Sequence, residues 1–370
     1  MAIINLLRKM KSRIKNLDPL RGFLALCVVI KHIPLISNTV GLPKYSDFPI
    51  FHRGNEAVLV FFSLSGFLII GLLFDEKKKF GAISIKQFYI RRMLRIYPVF
   101  YLVLIFGFTH YHFLLPLFNI PYENSYALIE GIALNVFFLS NVFLVDFEPG
   151  AILQVLWSIG IEEQFYLLIA PLLSLIPLKR FRNYLLAFTV VYFVIYHLDF
   201  FTFLKKYYLL YFFMSAGGLL AILMRLGHTV HFKNLKLRII VYVLFFVSFF
   251  TDLLLFESDF IQEGVQLVLF NLLIVNIANE DRFEIKNKAA NYLGRISYGV
   301  YMYHMIVINL VLFVFMKLQD KVQITDWVVI IAINIISIIG TIIISHLSFK
   351  YYETYFMNLK HRFRKKDIKA

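Results

Sequence analysis

Arg21 and His32 lie on one apolar segment, RGFLALCVVIKH, with ten residues between them. Neither side chain is tolerated on a lipid-facing helix, so both read as functional. An imidazole is the side chain best poised to take up a proton near neutral pH. A guanidinium offers permanent charge and planar contact to phosphate. At ~1.5 Å of rise per residue, the imidazole lies roughly 16 Å further along a helix than the guanidinium. That is about half of a ~30 Å hydrocarbon core. Two later segments carry similar groups. WSIGIEEQFYLL holds Glu162 and Glu163, and ISYGVYMYH holds Tyr298, Tyr301 and His304. Adjacent glutamates point about 100° apart on a helix, so one can face a cavity while the other packs elsewhere. A His, a carboxylate and a second His on three helices have the parts of a proton-handling site, the carboxylate orienting the imidazole and stabilising its charged form. The alternative reading is a buried polar network that fixes helix packing.

A fourth motif is RRMLRIYP, with Arg91, Arg92 and Arg95. Arginines at this spacing suit phosphate binding, and they equally suit an anchor at the cytoplasmic membrane face. FFSLSGFLI places Ser63, Ser65 and Gly66 in one helix, where small residues let helices approach closely. A serine nucleophile is disfavoured, because the G-x-S-x-G elbow is missing. The ten histidines are scattered without metal-ligand spacing, so no metal is expected. A phosphate-binding loop and a dinucleotide fingerprint are also missing.

The elements that must position these groups are membrane helices. The chain has 370 residues, 60% of them hydrophobic and 16% charged, with mean hydropathy +0.73. Soluble domains run at about 45–50% apolar. Net charge is +15, but Lys and Arg cluster in short runs between apolar stretches. That pattern signals orientation in a bilayer rather than a nucleic-acid partner. The single Cys27 permits no internal disulfide.

Eleven apolar stretches run over 18–38, 56–74, 93–116, 127–146, 153–177, 183–201, 207–225, 237–256, 263–279, 296–318 and 327–350. Keeping every basic run on the cytoplasmic side requires an even number of crossings. Segment 127–146, with Glu130, Asn135, Ser140 and Asn141, is the poorest span, so it is expected to re-enter or lie buried without crossing. The expectation is an all-α polytopic membrane protein with about ten transmembrane helices, one non-spanning segment and both termini cytoplasmic. It forms one domain over 1–370: a basic leader at 1–17, not a removed signal peptide, a core at 18–350, and a basic tail at 351–370. In this topology Arg21 lies near the cytoplasmic face. His32, Glu162 or Glu163, and His304 fall at similar mid-membrane depth.

Taken in order, LDPLRGFLALCVVIKH, FFSLSGFLI, RRMLRIYP, WSIGIEEQFY and RISYGVYMYH resemble the acyltransferase 3 family of integral-membrane acyltransferases. The resemblance covers essentially the whole chain, which resembles the stand-alone type without an extra extracytoplasmic domain. It departs at Ala57-Val58-Leu59-Val60, where members often carry a Gly-Val-Asp-like sequence, and at Ile159, where the family has Leu. The resemblance implies ten transmembrane helices in the inner membrane. It implies acyl-CoA, most simply acetyl-CoA, as donor substrate with no tightly bound cofactor. The implied acceptor is a hydroxyl of an extracytoplasmic or lipid-linked carbohydrate such as O-antigen, capsule or exopolysaccharide. On this reading Arg21, Arg91, Arg92 and Arg95 bind acyl-CoA. His32 and Glu162 are catalytic; Glu162 is preferred over Glu163 because it matches the acidic position five residues after Trp157. Trp157, Ser158, Tyr298, Tyr301 and His304 line the acceptor side or support it. The rivals are a transporter or flippase for a lipid-linked sugar, and the same enzyme type with another donor such as succinyl-CoA.

Overall fold

A computed structural model describes residues 14, 16–280 and 284–359, so the expected basic leader and tail fall largely outside the described residues. Among the described residues the regular structure is helical throughout. The main helices are α1 Leu17–Thr39, α2 Gly54–Phe80, α3 Ile85–Thr109, α4 Leu128–Val136, α5 Ser140–Phe147, α6 Trp157–Leu175, α7 Phe181–Tyr196, α8 Tyr211–Arg225, α9 Leu235–Phe250, α10 Asp259–Ala278, α11 Lys288–Gln319 and α12 Asp326–Ser348. This is an all-α polytopic membrane protein.

Among the described residues, seven helices are long and apolar enough to cross a bilayer: α1, α2, α3 with its continuation to Leu117, α6 with the preceding turn from Ala151, α10, α11, and α12 with its continuation to Leu359. An eighth follows if Leu178–Tyr196 and Asp199–Lys206, bent by 87°, form one span. The other segments expected to span are helical but short. α7 and α9 have 16 residues each and α8 has 15, against the ~20 that a straight crossing needs. Length therefore supports seven or eight crossings.

Segment 127–146 does not form a spanning helix. It breaks into α4, nine residues, and α5, eight residues. The break falls at Phe138, whose φ is 59°. Its buried polar residues explain the break. Asn135 Nδ2 donates to Gly131 O at 2.9 Å, and Ser140 Oγ donates to Asn135 Oδ1 at 2.7 Å. From α6, Gln164 Nε2 donates to Phe138 O at 2.6 Å and Asn141 Oδ1 at 2.8 Å, while its Oε1 accepts from Tyr211 at 2.8 Å. Non-helical backbone is admissible at membrane depth when protein supplies its hydrogen bonds.

Two helix crossings set the frame of the site. On α2, a Cβ at Gly66 would stand 1.8 Å from Met214 O, and on α8 one at Gly217 would stand 1.9 Å from Ser63 O. On α11, a Cβ at Gly294 would stand 1.8 Å from Asp18 O, and one at Gly22 would meet Gly294 N at 3.0 Å. Only glycine permits such backbone approach, the small-residue logic of membrane helix packing. The motif FFSLSGF is thus a packing seam at Ser63 and Gly66. α6 contains Pro171, which lacks the N–H that Leu167 O would accept. Tyr89 Oη from α3 donates to that carbonyl at 2.9 Å and so ties α3 to α6.

Candidate active site

α1 and α11 run parallel and in register. Gly22 meets Gly294, and ten residues further on the ring of His32 meets the ring of His304 at 5.0 Å between centroids. The same offset at both contacts fixes the level of every residue between them. Arg21 and His32 are separated by eleven positions, three turns plus about 20° of rotation, and so share one face of α1. On α11, Ser297, Tyr298, Tyr301 and His304 follow at spacings of one to three residues along a single face.

A cavity of about 280 Å³ opens between α1, α2, α3, α6 and α11. Its basic end is lined by Arg21, Arg92 and Arg95. Its middle is lined by Ser65, Glu162, Tyr166, Ser297 and Tyr298, and its far end by Val58, Ser158 and Tyr301. Along α2 it extends from Leu72 to Val58, about 21 Å of helix. Ser158, Glu162 and Tyr166 recur every four residues, which puts them on one face of α6.

Glu162 is anchored in the wall. Its Oε2 accepts from Ser65 Oγ at 3.0 Å and from Tyr166 Oη at 2.7 Å, and the hydroxyls of Ser65 and Tyr166 are also bonded to each other. The guanidinium of Arg92 sits 5.5 Å over the Tyr166 ring, a cation–π contact. Arg92 and Arg21 are close enough for their charges to act on Glu162. Glu163 does not line the cavity; it is buried, with Oε1 unpartnered.

The far end is closed by Tyr301. Its Oη accepts from Ser158 Oγ at 2.6 Å and donates to Val155 O at 3.1 Å. Three residues on, His304 is fully buried. His304 Nδ1 donates to Tyr301 O at 2.5 Å, and His32 Nδ1 donates to Val28 O at 2.8 Å. A carbonyl accepts only, so in the neutral rings both Nδ1 atoms carry hydrogen. His304 Nε2 is then a second acceptor, 3.3 Å away, for the one Nδ1 hydrogen of His32, which it shares with Val28 O, and His32 Nε2 carries the free lone pair. This assignment follows from the hydrogen-bond network.

The sequence expectation that Glu162 pairs with His32 is corrected by these distances. Tyr301 is bonded to Ser158, Glu162 lies four residues beyond Ser158 towards the basic end, and His304 lies three residues beyond Tyr301 in the opposite direction. Glu162 and the His pair are therefore about 10 Å apart along the helices, and the hydrogen-bonded partner of His32 is His304. Depth counted from the start of the apolar stretch misplaced the His pair, because α11 begins at Lys288 and not at 296, so His304 stands 16 residues into its helix and not eight.

The other expected residues divide as follows. Arg21, Arg92 and Arg95 line the cavity, as do Ser158, Tyr298 and Tyr301; Tyr298 Oη donates to Ile96 O at 2.8 Å. Arg91 does not line it. Its Nη2 pairs with Glu76 Oε2 at 2.9 Å, and Glu76 Oε1 accepts from Ser84 N at 2.8 Å, so this arginine clamps the α2–α3 turn. Trp157 packs its ring against Phe62 at 6.0 Å and Tyr208 at 5.2 Å, outside the cavity lining. Sequence reading gave Ser65 only a packing role and passed over Tyr166 and Ser297. The available signal for Tyr166 was its position one turn after Glu162.

Residues 14–346 match the family model described as an acyltransferase domain, Acyl_transf_3. The chain belongs to the acyltransferase 3 family. This membership supports the acyltransferase read from the motifs over the transporter. The chain is 28% identical to a protein of Acidianus two-tailed virus named "putative acetyltransferase", with 79% of this chain and 84% of that protein covered. It is 27% identical to a protein of Staphylococcus aureus strain COL named "putative O-acetyltransferase", with 96% of this chain and 58% of that protein covered. It is 34% identical to an uncharacterized Haemophilus influenzae protein over 35% of this chain and 54% of that one. The chain thus spans somewhat more than half the length of the staphylococcal and Haemophilus relatives. No solved structure matches it significantly.

Proposed function

We propose that this acyltransferase is an integral-membrane O-acetyltransferase of the cytoplasmic membrane. It takes acetyl from acetyl-CoA at its basic end and delivers it to a hydroxyl of an extracytoplasmic or lipid-linked carbohydrate such as a surface glycan. The observation that carries this reading is the cavity: three arginines at one end, a passage with one apolar wall along α2, and a hydrogen-bonded His pair one turn beyond the other. The relatives' names support acetyl as the group and a hydroxyl as acceptor. The basic runs support a cytoplasmic location of the arginine end and of both termini.

The CoA phosphates are held by Arg21, Arg92 and Arg95, with multi-donor contacts that suit phosphate. The acyl arm runs along α2 and α11 towards Tyr301. The acceptor oxygen attacks the thioester carbon while its proton passes to His32 Nε2. The C–S bond breaks, and the sulfur of CoA leaves with the proton returned by His32. His304 Nε2 accepts from His32 Nδ1 and steadies the imidazolium as it forms. General base assistance of this kind contributes ~10²–10⁴-fold. Glu162, held by Ser65 and Tyr166, belongs to the donor end, where it balances Arg21 and Arg92.

The test uses purified protein in lipid vesicles with acetyl-labelled CoA, comparing wild type with Arg21→Ala and His32→Ala. Wild type is expected to bind acetyl-CoA and release CoA when a glycan acceptor is supplied. Arg21→Ala should bind weakly, and His32→Ala should bind normally without turnover. Full turnover by folded His32→Ala would sink the mechanism, and failure of wild type to bind acetyl-CoA would sink the donor assignment.

A further inference from the structure

Ser297 is 1% exposed, lines the cavity, and has a hydroxyl without a hydrogen-bond partner. Among the described residues it is the buried polar group that combines an unmet hydrogen bond with a place in the cavity wall. Ser337 Oγ is also unpartnered but lies outside the cavity lining, and four other buried hydroxyls in these helices are satisfied by their own helix. Ser37 Oγ donates to Ile33 O at 2.8 Å, Thr189 Oγ1 to Leu185 O at 2.7 Å, Thr341 Oγ1 to Ser337 O at 2.7 Å and Ser345 Oγ to Thr341 O at 2.6 Å. Bonding back to the i−4 carbonyl is the usual way a helical hydroxyl is satisfied in an apolar setting. Ser297 does not do so, and its donor is left available towards the cavity. A buried donor without a partner is costly, and so it marks a place where a ligand atom belongs.

The level of Ser297 says which part of a ligand it meets. It lies one turn beyond Gly294, where α1 and α11 touch beside Arg21, and one turn before Tyr301. The α2 side of the wall is largely apolar, with Phe61, Leu64, Leu68 and Ile69, while Ser65, Glu162 and Tyr166 form one polar cluster that is already hydrogen-bonded within itself. A donor bound by its phosphates at the arginines and reaching towards Tyr301 passes Ser297 with its pantetheine arm, a flexible chain whose strong acceptors are two amide carbonyls. This inference rests on the acyl-CoA reading of the cavity. We infer that Ser297 Oγ donates to an amide carbonyl of that arm and so adds to the affinity for the carrier. Ser297 is a donor-binding residue for the transfer, and it selects acyl carriers with an amide in the arm over simple alkyl thioesters.

The experiment is steady-state kinetics in vesicles with wild type, Ser297→Ala and Ser297→Thr. The donors are acetyl-CoA and two analogues, each with one arm amide replaced by two methylenes. Ser297→Ala is expected to raise the KM for acetyl-CoA about fivefold to tenfold, the loss of one hydrogen bond, with kcat within twofold. Ser297→Thr, which keeps the hydroxyl, restores the KM. With one of the two analogues, wild type and Ser297→Ala become equal, because the bond is already missing. An unchanged KM in Ser297→Ala, or a penalty that persists with both analogues, would overturn the amide assignment while leaving the donor reading intact. Failure of wild type to bind acetyl-CoA would overturn both.

Discussion

Gly294→Ala probes the site from 10 residues away from its chemistry. The added Cβ would stand 1.8 Å from Asp18 O and 2.2 Å from its carbon, where ordinary contact begins near 3.4 Å. Both neighbours are backbone, so no side chain can swing aside, and α1 and α11 must part by about 1.6 Å. Overpacking of this size costs ~1–3 kcal/mol. The functional cost is larger, because the same two helices carry His32 and His304 in register. A rigid separation would lengthen their 3.3 Å contact to about 5 Å, outside hydrogen-bond range. Misplacement by ~1 Å can cost ~10²-fold in rate, so a fall in kcat of about 30–100-fold is expected. The KM for acetyl-CoA should rise only a few-fold, since Arg21 lies beside the crossing. The assay is CoA release in vesicles, with thermal unfolding of the detergent-solubilised protein as the measure of folding. Gly264→Ala on α10 is the control: its Cβ would meet only Phe193 at 3.5 Å, so rate and unfolding temperature should hold. Wild-type kcat and unfolding temperature in Gly294→Ala would refute the reasoning from helix register to the His pair.

His32→Ala should lower kcat by ~10²–10⁴-fold and His304→Ala by less, about 10–100-fold, because His304 acts through His32; a larger loss in His304→Ala would exchange the two roles. Arg92→Ala should raise the KM for acetyl-CoA at least about tenfold, a lost charge-assisted contact. Arg91→Ala should leave it unchanged, since Arg91 is engaged by Glu76; equal effects on acetyl-CoA titration would contradict this division. Gln164→Leu strands Phe138 O, Asn141 and Tyr211 and should destabilise the fold by ~2–4 kcal/mol, read as a lower unfolding temperature. Gln164→Glu should fall between it and wild type, since it keeps the acceptor for Tyr211 and loses both donors.

Four of the residues named from the sequence share one property: each is ionisable in an apolar run, where its cost singles it out, whereas Ser158, Tyr298 and Tyr301 came with the family resemblance. Arg21, His32, Glu162 and His304 are visible on that ground alone, and so is the failure of 127–146 to span, through Asn135, Ser140 and Asn141. Ser65, Tyr166 and Ser297 carry no such mark. Serine and tyrosine are ordinary in membrane helices, and only a tertiary environment separates Ser297, with its unmet donor, from Ser345, which satisfies itself on its own helix. Arg91 and Arg92 are likewise indistinguishable as letters. They point about 100° apart on α3, and that rotation sends one to Glu76 and the other to the cavity.

Depth is the quantity the sequence handled least well, and the reason bears on mechanism. Counting residues from the first apolar position assumes a straight helix that begins where hydrophobicity begins. α11 violates this, because it begins at Lys288, eight residues before the apolar stretch that starts at 296. The resulting shift moves the His pair out of the level of Glu162 and leaves Ser158 and Tyr301 between them. A carboxylate hydrogen-bonded to His32 would favour the imidazolium; a neutral imidazole in that place accepts a hydrogen bond without bringing a full negative charge into an apolar interior. The arrangement therefore keeps charge at the arginine end, where Glu162, Arg21 and Arg92 offset one another. On the proposed mechanism, charge forms at the His pair only while the acceptor proton is in transit. On that mechanism, separation of this kind would let one passage bind a polyanionic carrier and still present an uncharged base some three turns away from Arg21.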